Sequence, residues 1–191
     1  MTTGLTITFW GTRGSITPHL PSFEFGIHTT CVELTPGDRI SLFIDLGTGA
    51  SPAANSALQR GLRTFDIFLT HLHSDHLSGI LTFSPLYNPE CRVRIHACRP
   101  GLEATLRRLF APPIHPVCLD KVPASLELVE LPATGSMALE EQGAKLSWAP
   151  TPHPQGSTAY RLDADDNSFA FITDVELAKT RGLGPLRQLL T

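Results

Sequence analysis

The sequence predicts an α/β fold, and three observations carry that expectation. Short apolar strands alternate with helical segments as far as Phe110, and after a proline-punctuated stretch the pattern turns to strands alone. The third is size and composition: 191 residues, 41% of them hydrophobic, supply the core of one domain spanning residues 1–191.

Leu5–Trp10 alternates apolar and polar side chains with period two and stops at Gly11, the signature of a half-buried strand; Cys31–Leu34 follows the same rule. Ile40–Asp45 is nearly all apolar, suits a strand covered on both faces, and runs into the turn Gly47-Thr48-Gly49. A helix is expected next, with Ser51 as N-cap, Pro52 at its first position and Gly61 ending it. Ile67–Leu69 reads as a buried strand, and Leu77–Phe83 as about two helical turns before Pro85. Val93–His96 alternates like a strand, and Leu102, Leu106, Leu109 and Phe110 fall at helical spacing. Four more strands are expected over 126–131, 145–149, 159–162 and 169–173, and Leu183–Leu190 looks like the start of a helix.

Charge and cysteine usage exclude several classes. A formal charge of −3 gives no global pull toward nucleic acid or anionic lipid. The four cysteines contain no CxxC pair and read as reduced, mostly structural thiols. Met1–Leu5 lacks the features of a signal peptide, and no run of eighteen apolar residues exists, so the expectation is a cytoplasmic protein without membrane partners.

The chemistry concentrates in Thr70-His71-Leu72-His73-Ser74-Asp75-His76, directly after a buried strand. In extended backbone, residues two apart point the same way, so His71 and His73 converge. If the chain then turns into a helix, Asp75 and His76 approach from a second direction. Imidazole and carboxylate are the ligands expected of a catalytic zinc, and two ligand sets this close give a basis for two ions. The alternative is a polar loop with adventitious metal affinity.

This segment matches the HxHxDH motif, and the chain resembles the metallo-β-lactamase fold superfamily. Trp10–Ser15, Phe25–Leu34 and Ile44–Gly49 extend the likeness to its phosphodiesterase-like cytosolic branch, similar to tRNA 3′-processing ribonucleases and cyclic phosphate phosphodiesterases. The resemblance implies an αββα sandwich of two mixed sheets with outer helices. It implies that His71 and His73 hold a first divalent ion and Asp75 and His76 a second. His153, in Thr151-Pro152-His153-Pro154, fits the next ligand of the pattern, and Asp174, at the end of Phe171–Asp174, fits the carboxylate bridging both ions. Zinc is the expected metal; the same ligands accept manganese or iron.

The implied activity is hydrolysis of a small-molecule or nucleotide-type phosphodiester through a metal-bound hydroxide, with Asp75 as the catalytic acceptor that orients it. Thioester and lactone hydrolases share the motif and form the alternative. His73 argues against iron-containing oxygen-reducing relatives, which carry glutamate there; Asp174 and His76 argue against antibiotic hydrolysis.

The pattern's last ligand, a histidine after the bridging aspartate, has no counterpart, because no histidine follows His153. The chain therefore reads as C-terminally short, lacking a closing strand and helix. A catalytically impaired metal-binding fragment, with an exposed apolar edge that favours a homodimer, is a further alternative. Arg13 either clamps a phosphate or is an exposed turn arginine. Asp45 either caps its turn or orients a ligand histidine. His28, where relatives tend to carry asparagine, is more often structural than a ligand. His19, His96 and His115 receive no role.

Overall fold

β1 (Leu5–Gly11), β2 (Cys31–Pro36) and β3 (Leu42–Ile44) pair antiparallel in chain order; β4 (Thr64–Leu69), β5 (Arg92–Ala97) and β6 (Ser125–Glu130) extend the same sheet with parallel pairing. A second sheet runs in the order β10 (Asn167–Phe171), β9 (Ser157–Ala164), β8 (Ala144–Thr151), β7 (Gly135–Leu139). These relations come from a computed structural model that describes residues 4–15, 24–36, 41–140, 143–176 and 183–191. Met1–Thr3, His19 and Ile40, invoked above, lie outside the described residues.

Among the described residues four α-helices cover the outer faces: α1 (Ala50–Gln59), α2 (Ser74–Leu77) and α3 (Leu102–Leu109) on the first sheet, α4 (Leu183–Leu190) on the second. Period-two alternation sorts the strand side chains into layers. Phe43, Ile67 and Val93 pack outward with Ala53, Ala57 and Leu106, whereas Leu34, Leu42, Ile44 and Phe68 pack inward against Leu146, Trp148, Tyr160 and Leu162. On the far side Ala149 and Ala159 meet Leu186 and Leu189. The αββα sandwich is thus the observed architecture.

Several expectations need correction. The first sheet is mixed, but the described strands of the second pair antiparallel throughout, because short hairpin connections permit nothing else. β2 is buried nearly throughout rather than half-buried: Glu33, on its polar face, accepts from Trp10 Nε1 at 2.8 Å and pairs with Arg60, which removes the need for solvent. α1 starts at Ala50 with Gly49 as N-cap, and Pro52 sits inside the first turn, where its missing N–H leaves no bond unmade. Leu77–Phe83 is not one helix; α2 ends at Leu77 and two 3₁₀ segments, Ser78–Thr82 and Ser84–Tyr87, follow. β7 has no counterpart in the sequence reading.

Close backbone approach explains two glycines. A Cβ on Gly79 would strike the carbonyl of Gly47, and one on Gly47 would meet Thr30 O at 2.6 Å. The turn after β3 is thereby pressed between the β2 entry and the 3₁₀ segment behind α2, fixing its position beside the end of β4.

Candidate metal centre

The centre lies at the rim between the sheets, where the C-terminal ends of β3 and β4 meet the loops after β8 and β10. The end of β4 is tied to β9 by two bonds: Tyr160 Oη donates to Leu69 O at 2.8 Å, and Thr158 N donates to Thr70 O at 3.0 Å. Thr70 N in turn donates to Asp45 Oδ1 at 2.8 Å, and Thr70 Oγ1 donates to the same carboxylate. Asp45 is fully buried and has φ +62°, a conformation that Asp tolerates better than most residues.

From this support the motif fans out. His71 Nε2 lies 2.9 Å from His73 Nδ1, and His153 Nε2 lies 3.3 Å from the same atom. His76 Nε2 lies 3.2 Å from Asp174 Oδ2 and 3.5 Å from Asp75 Oδ2. Two trios of ligand atoms result, His71/His73/His153 and His71/His76/Asp174, with His71 common to both. Around a tetrahedral ion with metal–nitrogen bonds of ~2.0–2.1 Å, neighbouring nitrogens sit ~3.3 Å apart, so the first trio has the spacing such an ion requires.

The far nitrogens reinforce the fit. His71 Nδ1–H donates to Thr70 Oγ1 at 3.0 Å, His76 Nδ1–H to Asp45 Oδ2 at 2.7 Å, and His73 Nε2–H to Gln155 Oε1 at 2.7 Å. Each bond holds the proton on the outer nitrogen and turns the other nitrogen inward as a lone-pair donor.

The electrostatics agree. Burial, with the neighbouring His76 and His73, lowers the pKa of His71 to about 3, so its ring is neutral, as a metal ligand must be. For His76 burial acts downward, but the hydrogen bond to Asp45 and the charges of Asp45, Asp75 and Asp174 outweigh it and raise the pKa. Burial raises the Asp45 carboxyl, against hydrogen bonds from His76 and Thr70. Burial also pushes Asp75 upward, yet the 2.6 Å bond from Ser15 N–H and the nearby His76 hold it below the ordinary carboxylate value.

All six residues singled out as ligands therefore meet at one rim. Asp75 joins the group through His76 but belongs to neither trio, and Asp174 belongs to the second trio alone. Asp45 is the orienting acceptor rather than only a turn cap. His28 stands apart, 3.2 Å from Thr48 Oγ1, and Arg13 donates through Nε to Gly26 O at 3.0 Å, tying two loops together. Sequence reasoning missed Thr70, Gln155 and Ser15. A hydroxyl preceding the first motif histidine was a usable signal for Thr70, whereas the other two reach the site through chain folding alone.

The sequence matches the beta-lactamase superfamily domain over residues 42–189. The chain belongs to that superfamily. No curated protein matches it in sequence. Among solved structures this superfamily domain is similar to YhfI from Bacillus subtilis, a metallo-beta-lactamase fold protein, at 14% identity and TM-score 0.63, covering 88% of this chain and 61% of that one. Unliganded yeast PDE1 aligns at 15% identity and TM-score 0.63 over 87% of this chain and 64% of its own. Zn2+-bound PqqB from Methylobacterium extorquens aligns at 16% identity and TM-score 0.58, covering 92% and 66%. The chain thus spans less than two thirds of the length of YhfI and of PDE1. Among the described residues no helix is long and apolar enough to cross a membrane.

Proposed function

We propose that this chain is a metal-dependent hydrolase that cleaves phosphodiesters. One observation carries the metal part: the imidazole nitrogens of His71, His73 and His153 stand 2.9 and 3.3 Å apart in ligand spacing, and two of the three rings are held by their outer nitrogens. Membership of a superfamily of metal-dependent hydrolases supports the reaction class. The phosphodiester is supported by the likeness of the Trp10–Ser15 and Ile44–Gly49 segments to the phosphodiesterase-like branch.

In this reading His71, His73 and His153 would hold one ion, and His76 and Asp174, with Asp75 beside them, would hold a second. Bound zinc supplies Lewis acidity and lowers the pKa of water to ~7. Thr70, Asp45 and Gln155 keep three imidazoles in the ligand tautomer. Asp75 remains ionised, and with Oδ2 engaged by Ser15 its Oδ1 is the acceptor for a water proton. Four free cysteines among the described residues support a reducing, cytoplasmic setting.

The test is turnover of bis(p-nitrophenyl) phosphate by the purified chain supplied with zinc or manganese, with a thioester and a lactone assayed in parallel. His73→Ala should fall to background; equal rates would overturn the assignment. Turnover of the thioester or lactone alone would move the substrate to the alternative class, and one tightly bound ion per chain without turnover would leave a metal-binding fragment.

A further inference from the structure

Beside the His71/His73 edge of the centre lies a pocket of about 160 Å³, walled on its other side by Arg99, Gln155 and Gly156. Arg99 follows β5 and is only partly buried, and among the described residues no carboxylate pairs with it. Its guanidinium lies across the Cα of Gly156, in the space a Cβ would occupy. Gln155 spends its carbonyl oxygen on His73 and leaves its amide N–H groups as donors toward the same space.

Size decides what fits. The volume equals about five waters at ~30 Å³ each, whereas pockets for whole ligands run ~300–1,000 Å³. The pocket therefore takes one group of a substrate rather than the whole of it, and a compact oxyanion fits. A planar guanidinium that no described carboxylate pairs with, beside an amide donor, matches that occupant.

We propose that Arg99 and Gln155 form a subsite for a second anionic group of the substrate, a phosphate or carboxylate carried next to the ester that is cleaved. This rests on the hydrolase reading and narrows it: the preferred phosphodiester has an arm ending in a negative charge.

Two measurements test it. The first compares p-nitrophenyl phosphodiesters whose second arm ends in a hydroxyl, a carboxylate or a phosphate. The zinc-loaded chain should prefer a charged arm by about tenfold in kcat/KM, and Arg99→Gln should bring that ratio to about one while Arg99→Lys retains part of it. The better of the two charged arms identifies which oxyanion the subsite takes. The second titrates inorganic phosphate into the metal-free chain by calorimetry, where Arg99→Gln should weaken binding about tenfold. An unchanged ratio in Arg99→Gln, or phosphate binding indifferent to Arg99, overturns the subsite. Absence of all phosphodiester turnover with Arg99-dependent phosphate binding would instead overturn the hydrolase reading and leave the subsite standing.

Discussion

Asp45→Asn is the most informative perturbation of the centre. The carboxylate offers two acceptors: Oδ1 takes Thr70 N–H at 2.8 Å, and Oδ2 takes His76 Nδ1–H at 2.7 Å. An amide keeps one acceptor. The buried backbone N–H of Thr70 cannot rearrange, whereas an imidazole can change tautomer, so the amide oxygen should stay with Thr70 and the amide nitrogen should face His76. The ring then moves its proton to Nε2, the atom 3.2 Å from Asp174 Oδ2, and ceases to be a ligand. Loss of such an orienting acceptor costs about 10–100-fold in metal affinity, or about 1.4–2.7 kcal/mol. Asn also tolerates the φ of +62° at this position, so backbone strain does not confuse the result. Zinc titration against a competing chelator, with metal analysis of the dialysed protein, reads the outcome: the second ion should be lost first. Unchanged affinity and stoichiometry would refute the assignment of Asp45 as the group that orients His76.

Other outcomes follow from the same geometry. Leu146→Ala removes a fully buried side chain from between the sheets and should lower unfolding free energy by about 2–5 kcal/mol in a urea titration. Gly79→Ala places a methyl group against the Gly47 carbonyl; it should both lower the melting temperature and weaken zinc binding, because the displaced turn carries Asp45. The metal-free chain should lose stability as pH falls from about 6.5 toward about 3, since unfolded His71 takes up a proton that the folded ring refuses. The stability contributed by His76 is present below about 6.5 and fades as pH rises through its raised folded value. A urea midpoint that stays flat between pH 6.5 and 4 would contradict the neutral, buried state of His71.

Much of this was legible because it is local. The two-residue spacing of His71 and His73 after an apolar strand predicted their convergence, and the turn into α2 brought His76 to Asp174 from another direction. His153 and Asp174 were legible only through resemblance, because no local pattern ties a proline-flanked histidine to a motif 80 residues earlier. Gln155 carried no signal, since its role depends on a loop from the second sheet reaching His73. Glu33 misled for a related reason: alternation marks polarity, but a buried carboxylate with a Trp and an Arg partner satisfies the same pattern. β7, with the sequence Gly-Ser-Met-Ala-Leu, has no β-branched or aromatic residue to advertise a strand, and its pairing with β8 makes it one.

The division of donors between the two sheets has a consequence for the life of the molecule. His71, His73 and His76 ride on the first sheet, His153 and Asp174 on loops of the second, so an ion held among them would act as a removable cross-link across the sandwich. By mass action an ion at a thousand times its dissociation constant adds about 4 kcal/mol to the stability of the loaded state. Removing the metal would then let the sheets part more often, and the stripped chain should be cut by a protease sooner than the loaded one.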